Sequence, residues 1–172
     1  MSAISTNREG TNSMNKPMMA MLAAGFLAAL SPGTRAQDLQ VMADSVFQPA
    51  LKELAPLFAE RTGTQVRLSL APSTILAERL LTGESADVFF PAGDRHLRQA
   101  LEKGLVDVTL KRNILVLPEP ETPDGDANAE PAYAAAAVMA QSAQRVQAMA
   151  FLEFLASDAA RGVFARQGFG LP

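Results

Sequence analysis

The sequence contains no cysteine and a single histidine, His96, among its 172 residues. The lack of cysteine excludes disulfides, thiol catalysis and cysteine-ligated zinc. One histidine excludes any metal site built on two histidines and leaves little room for a Ser-His-Asp hydrolase. There is no block of basic residues and the formal net charge is −3, which argues against nucleic acid as the main partner. Most classes of enzyme are therefore poor candidates.

Apolar runs long enough to span a bilayer, about 20 residues, are also lacking. The run Met18–Leu30 has 13 residues and fits the ~7–15 residues of a signal-peptide core. Small residues at Thr34 and Ala36 suit cleavage after Ala36. A short buried helix is the weaker alternative, because the run shows no amphipathic stripe. We expect residues 1–36 to be a leader and residues 37–172 to form one exported, periplasmic domain.

From residue 39 onward the apolar spacing switches between the periods of strands and helices. Each of the first three strand patterns is followed by a helix pattern, which predicts parallel strands joined by right-handed crossovers. We expect an α/β fold, a mostly parallel sheet flanked by helices. The predicted strands are 39–43, 66–70, 88–90 and 114–117. The predicted helices are one that starts at 47 and stops at Gly63, then 75–81, 94–101, 144–156 and a short one from 157 to 167.

The stretch 118–131 differs from the rest of the chain. It holds four prolines and five acidic residues with no basic residue, so we predict a loop or linker without a core. The alanine-rich stretch that follows, 132–140, has the intrinsic propensity of a helix.

Two hydroxyl groups follow predicted parallel strands, where ligands commonly bind in open α/β sheets. Ser45 follows the first strand, with Gln48 as a capping-box partner, and Ser73 follows the second strand. Hydroxyls backed by the free N–H groups of a helix N-terminus would hold an anion without a formal positive charge. Alternatively, both serines simply cap their helices. Asp44 would repel an anion unless its carboxylate points away.

An ordered set of sequence blocks spans nearly all of residues 38–117 and 132–170. The blocks are Ala43-Asp44-Ser45-Val46, Leu54-Ala55-Pro56-Leu57-Phe58, Thr62-Gly63-Thr64, Ser73 to Leu80, Gly83 to Ala92, Ala148 to Leu155 and Phe164 to Gly170. In these blocks the chain closely resembles the periplasmic molybdate-binding proteins of ABC importers, a family of type II solute-binding proteins.

The resemblance implies a periplasmic protein that binds molybdate or tungstate and delivers it to an ABC transporter permease in the inner membrane. The family's two serine donors to the oxyanion match Ser45 and Ser73. No cofactor, metal site or enzymatic activity is implied, and we expect a monomer. Since no nucleophile–base pair is visible, an enzyme is the least favoured hypothesis.

The chain departs from the family in the middle. In the family, an outgoing and a returning hinge strand connect the first lobe to a second one. Here 114–117 resembles the outgoing strand and Tyr133–Met139 the returning one, so the resemblance favours a strand where propensity favours a helix. Only the linker 118–131 lies between them, in place of the second lobe. We therefore expect a single lobe with half a cleft and weak anion binding.

Two further departures lie at the expected site. Asp44 stands where the family usually has a small residue, and Pro72 removes a backbone N–H just before Ser73. They leave a second hypothesis open, in which the chain is a single-lobe remnant that binds no ligand and acts as a protein-interaction module.

Overall fold

The computed structural model describes residues 37–117 and 133–170. The predicted leader, 1–36, and the predicted linker, 118–131, lie outside the described residues. In chain order the elements are β1 (Leu39–Asp44), a 3-10 turn (Ser45–Phe47), α1 (Gln48–Thr62), β2 (Val66–Ala71), α2 (Ser73–Leu81), β3 (Val88–Phe90), α3 (Arg95–Glu102), β4 (Val106–Val116), β5 (Tyr133–Met139), α4 (Arg145–Leu155) and α5 (Asp158–Arg166).

The five strands form one sheet in the order β2-β1-β3-β5-β4. β1 pairs in parallel with both β2 and β3, and β5 runs antiparallel to both β3 and β4. Four strands therefore point the same way and β5 alone points the other way. The prediction of an α/β fold with a mostly parallel sheet is confirmed.

Helices cover both faces of the sheet because both faces of its central strands are apolar. Val41 on β1 points to the face covered by α1, α4 and α5, and its neighbour Met42 points to the face covered by α2 and α3. Both side chains are almost fully buried. Burial on both faces is typical of strands from the middle of an α/β sheet.

The alanine-rich stretch forms the strand β5, as the resemblance predicts and helical propensity does not. Residues 134–139 are all buried between β3 and β4. Pairing on both sides satisfies the backbone groups of the strand, and this tertiary context outweighs the intrinsic preference of alanine for helices.

Strand β4 begins at Val106, eight residues before the predicted start at Ile114. The prediction was too short because it was based on the apolar run 114–117, whereas residues 107–113 lie largely exposed. At the other end of β4, Val116 pairs with Tyr133. The chain therefore leaves β4 and enters β5 at adjacent points, on the edge of the sheet where β1, β2 and β3 also end.

None of the helices in the two described ranges is long and apolar enough to cross a membrane.

Candidate functional site

The carboxyl ends of β1 and β2 place the two predicted serines at one edge of the sheet. Asp44, the last residue of β1, pairs in register with Ala71, the last residue of β2. Ser45 then opens the 3-10 turn before α1, and Ser73 is the first residue of α2. The structure therefore brings both serines to the same edge, each at the start of a helical segment.

Asp44 is the centre of the hydrogen bonding at this edge. Its Oδ2 atom accepts a bond of 2.7 Å from the backbone N–H of Ser73 and one of 2.5 Å from the Ser73 hydroxyl. Its Oδ1 atom accepts a bond of 3.0 Å from the backbone N–H of Val46. The residue is only 9% exposed. A buried carboxylate is thus compensated by three donors, two of them at the N-terminus of α2.

Ser73 connects three segments of the chain. Its hydroxyl donates to Asp44 and accepts a bond of 2.9 Å from the backbone N–H of Ala92. Ala92 follows the end of β3, so the loops after β1, β2 and β3 all meet at this hydroxyl. Ala92 is not among the predicted site residues, although β3 was predicted as a parallel strand and should therefore end at this edge.

Neither serine caps a helix with its side chain, so that alternative is wrong. The side chain that caps the 3-10 turn belongs to Asp44, and Pro72, which has no such side chain, is the N-cap residue of α2. Ser45 is exposed and its side chain makes no hydrogen bond to another described residue. The predicted capping box with Gln48 is not formed, since α1 begins at Gln48 itself.

The electrostatics of this edge follow from the Asp44 carboxylate. The N-terminus of α2 carries a partial positive charge and free N–H groups, which attract anions. A negative charge of the protein itself already occupies this position, because the Asp44 carboxylate points towards Ser73 rather than away from it.

Among the described residues, no group of three or more acidic or histidine side chains could hold a metal ion.

A second buried carboxylate, Asp87, lies at the opposite edge of the sheet, just before β3. It accepts bonds from the Ser142 hydroxyl at 2.6 Å and from the backbone N–H of Gln40 at 2.8 Å. The Gln144 side chain adds a third donor at 3.2 Å. Asp87 thus bonds a backbone amide of β1 and the segment before α4, and it holds β1, β3 and the start of α4 together.

Comparison with known proteins gives a family for the chain. A family model described as bacterial extracellular solute-binding protein matches residues 39–123 and 121–170. No curated protein sequence matches the chain.

Several solved structures share the fold. The substrate-binding domain of a protein assigned as a molybdenum ABC transporter from Clostridium difficile has a TM-score of 0.69 at 12% identity, over 78% of this chain and 99% of that chain. The periplasmic molybdate-binding protein of Azotobacter vinelandii has a TM-score of 0.66 at 15% identity, over 78% of this chain and 100% of that chain. The sulfate-binding protein SubI of Mycobacterium tuberculosis has a TM-score of 0.61 at 13% identity, over 77% and 86%. At these identities the likeness establishes the fold alone.

Proposed function

The chain belongs to the family of bacterial extracellular solute-binding proteins, and from this premise we propose that it is the solute-binding component of an ABC importer for molybdate or tungstate. The proposed ligand site is the edge of the sheet at Ser45 and Ser73. The proposed partner is the importer's permease in the inner membrane.

The placement of the two serines carries this proposal. They follow the adjacent parallel strands β1 and β2, at the edge where ligands of open α/β sheets bind. Each opens a helical segment, and the backbone N–H groups at the start of a helix attract anions. A set of neutral donors suits a tetrahedral oxyanion that must be released again to a transporter. Two of the solved structures that share the fold point to this ligand class by their descriptions. One is described as a molybdate-binding protein, and the other as the substrate-binding domain of a protein assigned as a molybdenum ABC transporter.

We propose that residues 37–172 form a single lobe, with 118–131 in place of a second one. The pairing of Val116 with Tyr133 supports this proposal, because two paired strand ends need only a short connection. A single lobe leaves the anion open to water on one side, so its binding is weaker than in a closed cleft.

Isothermal titration of the purified protein with molybdate, tungstate and sulfate tests the proposed ligand. We expect measurable binding of molybdate or tungstate that is lost in the double variant S45A/S73A. Binding that survives the double substitution would place the site elsewhere on the protein. Binding of sulfate in preference to both metal oxyanions would contradict the proposed substrate class.

Export is a separate part of the proposal, supported by the leader pattern and by membership of an extracellular family. Expressed with residues 1–36 in a Gram-negative host, the protein should be recovered from the periplasm with a new N-terminus near Gln37. Intact-mass measurement of an uncut chain in the cytoplasm would contradict export.

A second candidate function is favoured by the hydrogen bonds of Asp44. Because the Ser73 donors are satisfied within the chain, the lobe does not need a ligand to complete them. A remnant of this kind would act as a protein-interaction module. It would show a cooperative unfolding transition that none of the three oxyanions shifts, whereas a binding protein is stabilised by its ligand.

A further inference from the structure

The carboxylate of Asp44 lies against the donors that the proposed function assigns to the oxyanion. We propose that Asp44 is an internal competitor for the ligand: its carboxylate fills the anion position of the unliganded lobe, and an oxyanion binds Ser73 only after that carboxylate has moved out. This inference rests on the proposed function and adds the residue that sets the affinity and the charge preference of the site.

The hydrogen-bond donors of Ser73 are all occupied by Asp44, which supports this competition. The backbone N–H and the hydroxyl of Ser73 each have one hydrogen to donate, and both are given to Oδ2 of Asp44. The remaining contact of the hydroxyl is with the N–H of Ala92, where it acts as the acceptor. An oxyanion therefore finds no free donor on Ser73 unless Asp44 is displaced.

The burial of the two residues makes displacement costly. Ser73 is 6% exposed and Asp44 is 9% exposed, so their contact is shielded from water and the charge-assisted bonds are strong. Moving the carboxylate also breaks its bond to the N–H of Val46, which caps the 3-10 turn. The ligand must outcompete all three bonds.

Charge adds a second penalty that depends on the ligand. A displaced Asp44 remains attached to the end of β1, beside Ser45, and repels an anion bound there. The repulsion is stronger near a protein surface than in bulk water, and it grows with the charge of the ligand. Asp44 should therefore disfavour a doubly charged oxyanion such as molybdate more than a singly charged one of the same shape.

Two substitutions separate occupancy from charge. Asp44→Ala removes both the carboxylate and its charge, and it leaves a small residue at this position. Asp44→Asn keeps the volume and an acceptor for Ser73 but removes the charge, and it serves if the alanine variant fails to fold. Asp87→Ala is the matched control, because Asp87 is also a buried carboxylate that accepts a serine hydroxyl and a backbone N–H, at the opposite edge of the sheet.

Isothermal titration of the purified protein and these variants with molybdate, and with perrhenate as a tetrahedral monoanion, tests the inference. Asp44→Ala should bind molybdate at least about tenfold more tightly than the unsubstituted protein, since each charge-assisted bond no longer displaced is worth roughly a factor of ten. Asp44→Asn should show a smaller gain. The gain for perrhenate should be smaller than that for molybdate, and Asp87→Ala should show none.

Other outcomes overturn one proposal or both. Equal molybdate affinity of the unsubstituted protein and of folded Asp44 variants would overturn the competition and leave the proposed function standing. An equal gain in Asp87→Ala would also overturn it, because the effect would then not belong to this edge. If neither the protein nor any folded Asp44 variant bound an oxyanion, the proposed function itself would be wrong, and the competition with it.

Discussion

At the scale of single residues, the two serines at the site differ in how much the fold depends on them. The Ser73 hydroxyl is buried and bonds both Asp44 and the N–H of Ala92. Ser73→Ala leaves that N–H without its acceptor and should lower the free energy of unfolding by about 1–3 kcal/mol. Ser45 is exposed, so Ser45→Ala should change the free energy of unfolding by less than about 0.5 kcal/mol. Urea unfolding without ligand measures both, and equal effects would contradict the hydrogen-bonding role of Ser73.

Asp87 should be among the residues on which stability depends most. Asp87→Ala leaves the Ser142 hydroxyl and the Gln40 N–H without their acceptor, and we expect a loss of about 2–4 kcal/mol in the free energy of unfolding. Asp94→Ala is the control, because its carboxylate is exposed and its one partner among the described residues is Arg98, four residues on, at 3.1 Å. Such a pair contributes about 0.3–0.5 kcal/mol. Chemical unfolding that ranks the two variants equally would show that the Asp87 cluster is not structural.

The role of Asp87 could be predicted from sequence, whereas the direction of the Asp44 carboxylate could not. Asp87 directly precedes an all-apolar strand, where an isolated carboxylate must find backbone donors. Asp44 has donors on two sides: the N–H of Val46 two residues on, and Ser73, which is 29 residues away in the chain. The choice between pointing away and bonding Ser73 depends on the register of β1 with β2, and that register is a tertiary property.

At the scale of secondary structure, the predictions succeeded where burial and periodicity agree. β1, β2 and β3 were predicted nearly to their ends, because their apolar residues alternate or run continuously. β5 is a strand only because it lies between β3 and β4. Its alanines carry no strand signal of their own, and the resemblance to a family supplied the prediction. The first eight residues of β4 were missed because they belong to an exposed edge strand with register shifts in its pairing to β5.

The contact between β4 and α4 should make stability depend on acid pH. The Thr109 hydroxyl, the Arg145 guanidinium and the Thr109 N–H hold the pKa of Asp107 at about 2, well below its ordinary value. A carboxyl with a lowered pKa in the folded state stabilises the fold above its unfolded pKa of about 3.9 and loses that contribution as the pH falls towards 2. The Asp107–Arg145 ion pair joins β4 to α4.

Asp107→Asn should therefore be less stable than the unsubstituted protein at neutral pH. The difference should shrink as the pH falls through the window from about 4 to about 2. Urea unfolding across this range measures it, with Asp94→Asn as an exposed carboxylate for comparison. A difference that stays constant between pH 6 and pH 3 would contradict the lowered pKa of Asp107.

At the scale of the whole molecule, the order of strands limits how the chain can come apart. β5 belongs to the C-terminal part of the chain and lies between β3 and β4, which belong to the N-terminal part. The helices after β5 pack on α1, with the rings of Phe58 and Phe151 5.1 Å apart. The predicted alternation of strands and helices was sufficient to identify the fold class. It could not place β5 within the sheet, because that position depends on pairing between distant parts of the chain.

Cleavage within the predicted linker 118–131 should leave the two parts of the chain associated. A protease recognition sequence inserted there would be cut, and the fragments should still elute together in native size-exclusion chromatography. The reason is that β5 pairs on both sides with strands of the other fragment, and Gly170 exchanges two backbone hydrogen bonds, of 3.0 and 3.1 Å, with Val116 on β4. Separation of the same sample in denaturant serves as the control for complete cleavage. Fragments that separate in native buffer would contradict the placement of β5 between β3 and β4, since its residues 134–138 would then have to become exposed from full or nearly full burial, at a cost that native buffer does not offset.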